Sequence, residues 1–399
     1  MSSLKEMIAE FCPNGVEYKY LGDIGSICMC KRIMKNQTST DGDVPFYKIG
    51  TFGGKANAYI SIDLFEEYKE KYSYPKIGDV LISAAGTIGR TVIFDGEPSY
   101  YQDSNIVWID NDEKLVMNKF LYYYYQLQPW QVSTGGTIAR LYNDNIARAR
   151  LPVPPMEVQR EIVRVLDSFA LLTAELTAEL TARKKQYEYY RDNLLKFDIS
   201  IPKVKIKDIA TDIYRGSGIT REQVTEDGIP CVRYGEIYTT YNIWFEQCKS
   251  HTKIENITNP KYFEHGDILF AITGESVEDI AKSTAYVGND KCLAGGDIVV
   301  LKHNQNPKYL SYVLSTHNAQ QQKSKGKIKS KVVHSSVPAI EEIEIPLPDL
   351  EVQNRLVTVL DYFDAICTDL NIGLPAEIEA RQKQYEYYRD KLLSFEEGM

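Results

Sequence analysis

The sequence predicts an α+β chain. Two globules of mixed strands and helices are separated by two long helices that form an antiparallel coiled coil, giving a pseudo-twofold internal repeat. Three observations carry this. The 399 residues are 43% hydrophobic and 25% charged, ordinary for folded domains, and the length suggests two or three of them. A long helical pattern occurs twice. The segments before its two copies are similar in length, 150 and 147 residues, and hold short apolar runs bounded by Gly, Pro, Asn and Asp, which read as strands and turns.

Taken in order, residues 1–150 form the first globule. Its clearest strand is G-D-V-L-I at 78–82, after Pro75 and before Gly86. Residues 151–197 form the first rod. Pro152 and Pro154 hold an extended lead-in, and Pro155 suits the first helical turn. Apolar residues then recur in steps of three, four or seven at Val158, Ile162, Val165, Phe169, Leu172, Leu176, Leu180, Tyr187, Tyr190 and Leu194, a coiled-coil stripe. Within it, T-A-E-L stands twice in tandem (173–176, 177–180). One such unit adds roughly 6 Å of helix and about 40° of rotation, so the tandem acts as a ruler. Residues 198–344 form the second globule, where G-D-I-L-F at 266–270 parallels 78–82 and D-I-V-V-L at 297–301 parallels N-I-V-W-I at 105–109.

Residues 345–399 repeat the rod. I-P-L-P-D-L-E-V-Q-N-R-L-V-T-V-L-D-Y-F-D-A-I at 345–366 matches 10 of 22 residues at 151–172, and R-Q-K-Q-Y-E-Y-Y-R-D-K-L-L-S-F at 381–395 matches 12 of 15 at 183–197. Its stripe runs through Val352, Leu356, Val359, Phe363, Ile366, Leu370, Leu374, Ile378, Tyr385, Tyr388 and Leu392. Gly373 and Pro375 should break or kink it. Two matched stripes make each rod the natural partner of the other.

The chemistry excluded is as informative. Seven scattered cysteines with no C-x-x-C, and five histidines with no H-E-x-x-H, argue against a disulfide framework, a redox centre and zinc. No G-x-x-x-x-G-K-[ST], G-x-G-x-x-G or G-x-S-x-G is present, so no nucleophile, general base or metal ligand is assigned. No apolar run approaches the roughly 18–20 residues of a membrane span. The first residues, with Lys5, Glu6 and Glu10, lack the apolar centre of a secretory leader, so the chain is expected in the cytoplasm.

The net charge of −9 is not that of an ordinary nucleic-acid binder. However, residues 345–399 hold eleven carboxylates against five cations, which leaves room for basic faces elsewhere. In the first globule the candidates for DNA contact are Lys31, Arg32 and Lys35; the small-residue loop with Ser83, Thr87 and Arg90; Gln102, Ser104 and Asn105; and a second Gly-rich loop with Thr137 and Arg140. Hydroxyls, backbone N–H groups and arginines are what phosphate oxygens and base edges accept. In the second globule they are Arg215, Ser217, Arg221, Arg233, Thr273 and the alternating Lys323, Lys325, Lys327, Lys329 and Lys331. On one strand those five ammoniums would share a face.

Proline-rich lead-in, E-V-Q, long helix and K-Q-Y-E-Y-Y-R-D, occurring twice after globules of about 150 residues, resemble the specificity subunit of type I restriction-modification systems. The likeness covers essentially the whole chain. It includes the tandem T-A-E-L and, in the first globule, G-T-I-G at 86–89, Q-D-S-N-I at 102–106 and G-G-T-I at 135–138; the second globule departs, with T-G-E-S at 273–276 and A-G-G-D at 294–297. The resemblance implies that each globule reads one half of a bipartite, asymmetric site on double-stranded DNA. It further implies that the helices set the gap and dock two methyltransferase subunits, through Leu176, Leu180, Tyr187, Tyr190, Leu194, Leu370, Ile378, Tyr385, Tyr388 and Leu392. Restriction (translocase-nuclease) subunits would complete the complex. S-adenosylmethionine, ATP and Mg²⁺ would belong to those partners, with none bound by this chain, which would not itself be catalytic. The rival classes are a nuclease with unrecognised carboxylates, which would cleave alone, and an acidic scaffold, which would bind the partners but no duplex.

Overall fold

A computed structural model of the chain describes residues 2–132, 140–198, 200–324, 327–329, 332–368 and 373–398. The chain forms two compact units. One comprises Met1–Leu176 with Ile378–Met399, the other Thr177–Glu377. The division falls between the two T-A-E-L copies, so each unit holds one globule, part of the first rod and part of the second.

The helices that organise the units are α1 (Ser2–Phe11), α2 (Asn118–Tyr125), α3 (Met156–Leu194), α4 (Pro307–Leu314), α5 (His317–Lys323), α6 (Leu350–Thr368) and α7 (Gly373–Leu392). At 39 residues, α3 is a rod of about 60 Å. Pro155 lies just before it rather than in its first turn, its carbonyl accepting from the Val158 and Gln159 amides at 2.9 and 3.0 Å. The second rod comprises α6 and α7, and Pro375 falls in the first turn of α7, where a missing amide costs nothing.

Both globules are built the same way. In the first unit, strands Gly25–Cys28, Ile106–Asn111, Val80–Ser83 and Thr91–Ile93 form an antiparallel sheet in that order. Val44–Tyr47 runs parallel to Tyr100–Tyr101 in a smaller one. In the second unit, Ala210–Arg215, Ile298–His303, Ile268–Ala271 and Ser283–Tyr286 take the equivalent order, with Trp244–Phe245 added at the edge. Ile229–Val232 again runs parallel to Cys292–Ala294. The two G-D motifs lead into the central strands by one device. Gly78 and Gly266 take φ of +93° and +94°, a region open to glycine. The next carboxylate, Asp79 or Asp267, then accepts a backbone amide three residues earlier, from Lys76 at 2.8 Å or Glu264 at 2.9 Å. Burial raises both carboxyls above the usual aspartate range, against those hydrogen bonds.

A short ladder closes each globule. Glu17–Tyr20 pairs with Arg150–Val153, and Lys203–Lys205 with Glu344–Pro346, so each rod leaves where its globule began. The glutamine of each E-V-Q then locks the junction. Gln159 is fully buried; its amide donates to the carbonyls of Leu115 (2.9 Å) and Pro154 (2.8 Å) and accepts from the Met117 amide (2.9 Å). Gln353, equally buried, donates to Pro348 O (2.8 Å) and Gln305 Oε1 (2.9 Å) and accepts from the Asn306 amide (3.0 Å).

Each unit also brings α3 together with part of the second rod. In the first, Phe169 of α3 stacks on Tyr388 of α7 at 5.4 Å. Further on, Phe395 O accepts from Tyr18 OH (3.0 Å) and Glu397 pairs with Arg150 (3.0 Å), so the C-terminal chain descends toward the base of α3. In the second, Tyr187 near the end of α3 packs against the core cluster to which Val357 and Leu360 of α6 and Tyr312 of α4 belong. The Y-E-Y-Y-R-D motif repeats its local geometry: Arg191 lies over Tyr187 at 5.9 Å and pairs with Asp192, and Arg389 lies over Tyr385 at 5.8 Å and pairs with Asp390. The stripe is buried only where a globule covers it. Val158, Ile162 and Val165 are buried together with Val163 and Leu166, whereas Tyr190, Leu194, Val359 and Phe363 are exposed.

Candidate nucleic-acid interface

In the first globule the candidate residues converge from loops that come after different strands. Arg90, behind strand Val80–Ser83, donates to Phe52 O at 2.8 Å. Gln102 accepts from the Ile49 amide at 2.9 Å. Arg140 donates to Ser104 O at 3.0 Å and more weakly to Asn105 Oδ1 at 3.4 Å. Arg32 pairs with Asp103 at 2.9 Å, and Lys31 lies over the Tyr72 ring at 5.1 Å. Loops 31–35, 49–53, 84–90 and 102–105 thus share one surface with Arg140. Lys31, Arg32, Lys35, Thr87 and Arg90 are exposed, while Gln102, Ser104, Asn105 and Arg140 are half-buried. Gln128, not singled out from sequence, braces the loop 84–90: its amide donates to Gly89 O at 3.2 Å, and its carbonyl accepts from Trp130 Nε1 at 3.2 Å.

Four candidates are corrected by burial. Ser83 is buried; its hydroxyl donates to Thr87 O and accepts from the Arg90 amide at 2.9 Å, so it shapes the loop instead of facing out. Ser217 is buried against Asn259 O. Thr273 is buried in the strand pair with Val332–His334, its hydroxyl 3.2 Å from His334 Nδ1. Lys323 does not begin a row on a strand. It ends α5, is 4% exposed, and donates to Leu314 O (2.7 Å) and Ser283 Oγ (3.1 Å). Burial, aided by Arg191, pulls its ammonium down to about 7.

Of the other lysines, Lys327 and Lys329 take alternate places on strand Lys327–Lys329, paired to Val332–His334. Lys325, Lys331, Thr137 and Leu370 lie outside the described residues. Arg215 is tied to Asp297 and Gly296 O, Arg221 is exposed, and Arg233 is half-buried against Glu236 at 3.3 Å. Among the described residues no group of three or more His, Cys, Asp or Glu side chains is arranged to hold a metal, and no helix is long and apolar enough to cross a membrane.

A duplicated scaffold, whose first copy gathers polar loops on one surface, fits a two-domain recognition protein. The sequence profile of the type I restriction modification DNA specificity domain matches residues 13–183 and again 192–380, and the chain belongs to that family. It is similar to the EcoR124I/EcoR124II type I restriction enzyme specificity subunit of Escherichia coli, with 29% identity over 81% of this chain and 82% of that one. A chain of Haemophilus influenzae, named provisionally as a type I restriction enzyme specificity subunit, is 61% identical over 44% of this chain and 47% of its own length. A solved chain from a study of complex assembly and conformational transition of the type I R-M system shares the fold, with a TM-score of 0.59 at 16% identity, covering 96% of this chain and 98% of that one. The protein is therefore a non-catalytic DNA-specificity subunit of the type I class.

Proposed function

We propose that each globule reads one half of a split, asymmetric duplex sequence, and that α3, α6 and α7 hold the gap and dock two methyltransferase subunits. Restriction subunits complete the complex; methyl donor, ATP and Mg²⁺ are bound by these partners, and the complex works in the cytoplasm. One observation carries this reading. The scaffold repeats in strand order and in its two buried glutamines, while the loops it carries differ, G-T-I-G at 86–89 against T-G-E-S at 273–276. Equal frames with unequal reading loops suit two different half-sequences. Exposed Lys31, Lys35, Thr87, Arg90 and Arg221, with Lys325, Lys327 and Lys329, supply phosphate contacts in this reading, and Gln102, Asn105 and Arg140 read base edges.

The test is single-molecule mapping of N6-methyladenine in cells expressing this chain with its cognate methyltransferase subunit. A two-part motif of fixed gap, present only with both subunits, is expected. A stable complex that methylates nothing would instead favour the scaffold reading. Replacing Lys325, Lys327 and Lys329 by alanine should weaken duplex binding and flatten its salt dependence, by about 0.9 in log–log slope for each phosphate that is no longer neutralised. An unchanged slope would remove those lysines from the interface.

A further inference from the structure

Eight residues beyond each buried glutamine the repeat carries an aspartate, Asp167 in α3 and Asp361 in α6. Each receives the same two donors from its globule. Asp167 accepts from Lys119 Nζ at 2.6 Å and Tyr123 OH at 2.7 Å. Asp361 accepts from Lys308 Nζ at 2.8 Å and Tyr312 OH at 2.7 Å. The donors occupy matching places on α2 and α4. Both tyrosines are buried, and burial together with the carboxylate raises their hydroxyls above the ordinary range, so each remains a donor.

Glutamine and aspartate stand about 12 Å apart along the helix. One contact fixes a point; two fix an angle. Apolar contacts are non-directional and tolerate a few degrees of tilt, whereas short charge-assisted hydrogen bonds do not. With a lever of roughly 25 Å, the scale of a domain this size, a tilt of roughly 8° displaces the reading surface by about 3.4 Å, one base pair.

We propose that Lys119, Tyr123 and Asp167, and likewise Lys308, Tyr312 and Asp361, are positioning residues that set the gap between the half-sequences by fixing the angle of each globule on its helix. This rests on the specificity reading above. The second clamp is the stiffer. Its lysine and aspartate are 23% and 28% exposed against 52% and 38% in the first, and Lys308 Nζ sits 3.5 Å from the centre of the Trp244 ring.

The experiment is the same methylation map, made with the full chain carrying Tyr312→Phe, Asp361→Asn or Tyr123→Phe. The control is Tyr309→Phe, which deletes a hydroxyl bonded to Pro346 O at 2.9 Å, outside the clamp. The tyrosine variants keep ring and ion pair, so folded protein is retained. Clamp variants should preserve both half-sequences yet methylate sites whose gap differs by one base pair, more so at the second globule, while the control keeps a single gap. An unchanged single gap in Tyr312→Phe and Asp361→Asn overturns the proposal, as does equal relaxation in Tyr309→Phe, which would mean general loosening. A wild-type chain giving no two-part motif would instead refute the specificity reading.

Discussion

Gln159 and Gln353, both fully buried, satisfy three polar partners each. A buried donor or acceptor stripped of its partner costs about 1 kcal/mol or more. Gln159→Leu, which strands the Met117 amide and the Leu115 and Pro154 carbonyls, should therefore destabilise its unit by about 3 kcal/mol. Chemical denaturation measures this, and a loss below about 1 kcal/mol would mean that solvent reaches the site. Lys323 makes a prediction in pH. Its native pKa is pulled down to about 7, whereas an unfolded lysine titrates near 10.4. Between those values the unfolded chain holds a proton that the native chain has released, so stability rises with pH. Wild type should gain on Lys323→Met as pH climbs from about 7 to about 10, and a flat difference would mean that the ammonium stays charged in place. Both glutamines were visible in sequence as identical letters of the repeat, but nothing in sequence assigned them a task. Lys323 was misread because alternation alone does not distinguish the last turn of a helix from the start of a strand.

At the scale of elements, α3 carries the tandem T-A-E-L at the border between the units. Glu175 and Glu179 are exposed, and Glu179 pairs with Arg183 at 3.2 Å, a solvated face that places no demand on either copy. Deleting one copy should keep the helix, shorten it by roughly 6 Å and turn the remainder of the rod by about 40°. The methylated gap should then shrink by one or two base pairs with both half-sequences unchanged, and a methylome with the original gap would defeat the ruler. The rods were legible because their periodicity is local and long. Their covered faces were less so: Tyr190, Leu194, Val359 and Phe363 fit the stripe and yet stand exposed, since covering depends on which globule lies against which turn.

For the whole molecule, the division into two units has a thermodynamic consequence. Each unit has cores of its own, Leu81 and Trp108 with Phe46 in one, Phe263 and Leu269 with Tyr286 in the other. The first unit is closed by its two chain ends: the Val16 amide donates to Glu396 O and the Gly398 amide to Val16 O, each at 2.9 Å. Removing residues 395–399 should lower the melting temperature of one calorimetric transition and leave a second in place, as expected of a chain that does not unfold in two states. A single transition that moves as one would show that the cores melt together.

The repeat, the rods, the strands behind the two G-D motifs and the family are legible in the letters alone. Each is written in letters adjacent in the chain or duplicated along it. Which polar side chains face out is settled by packing. Ser83, Ser217, Thr273 and Lys323 have the right chemistry for a phosphate and are buried, while Lys119, Tyr123 and Asp167, unremarkable in sequence, meet across 48 positions. The physical reason is range. Helical and strand periodicity is set by neighbours within a few residues, but burial and hydrogen-bond partnership are set by packing between segments far apart in the chain, and the same hydroxyl or ammonium serves either role until that packing is fixed.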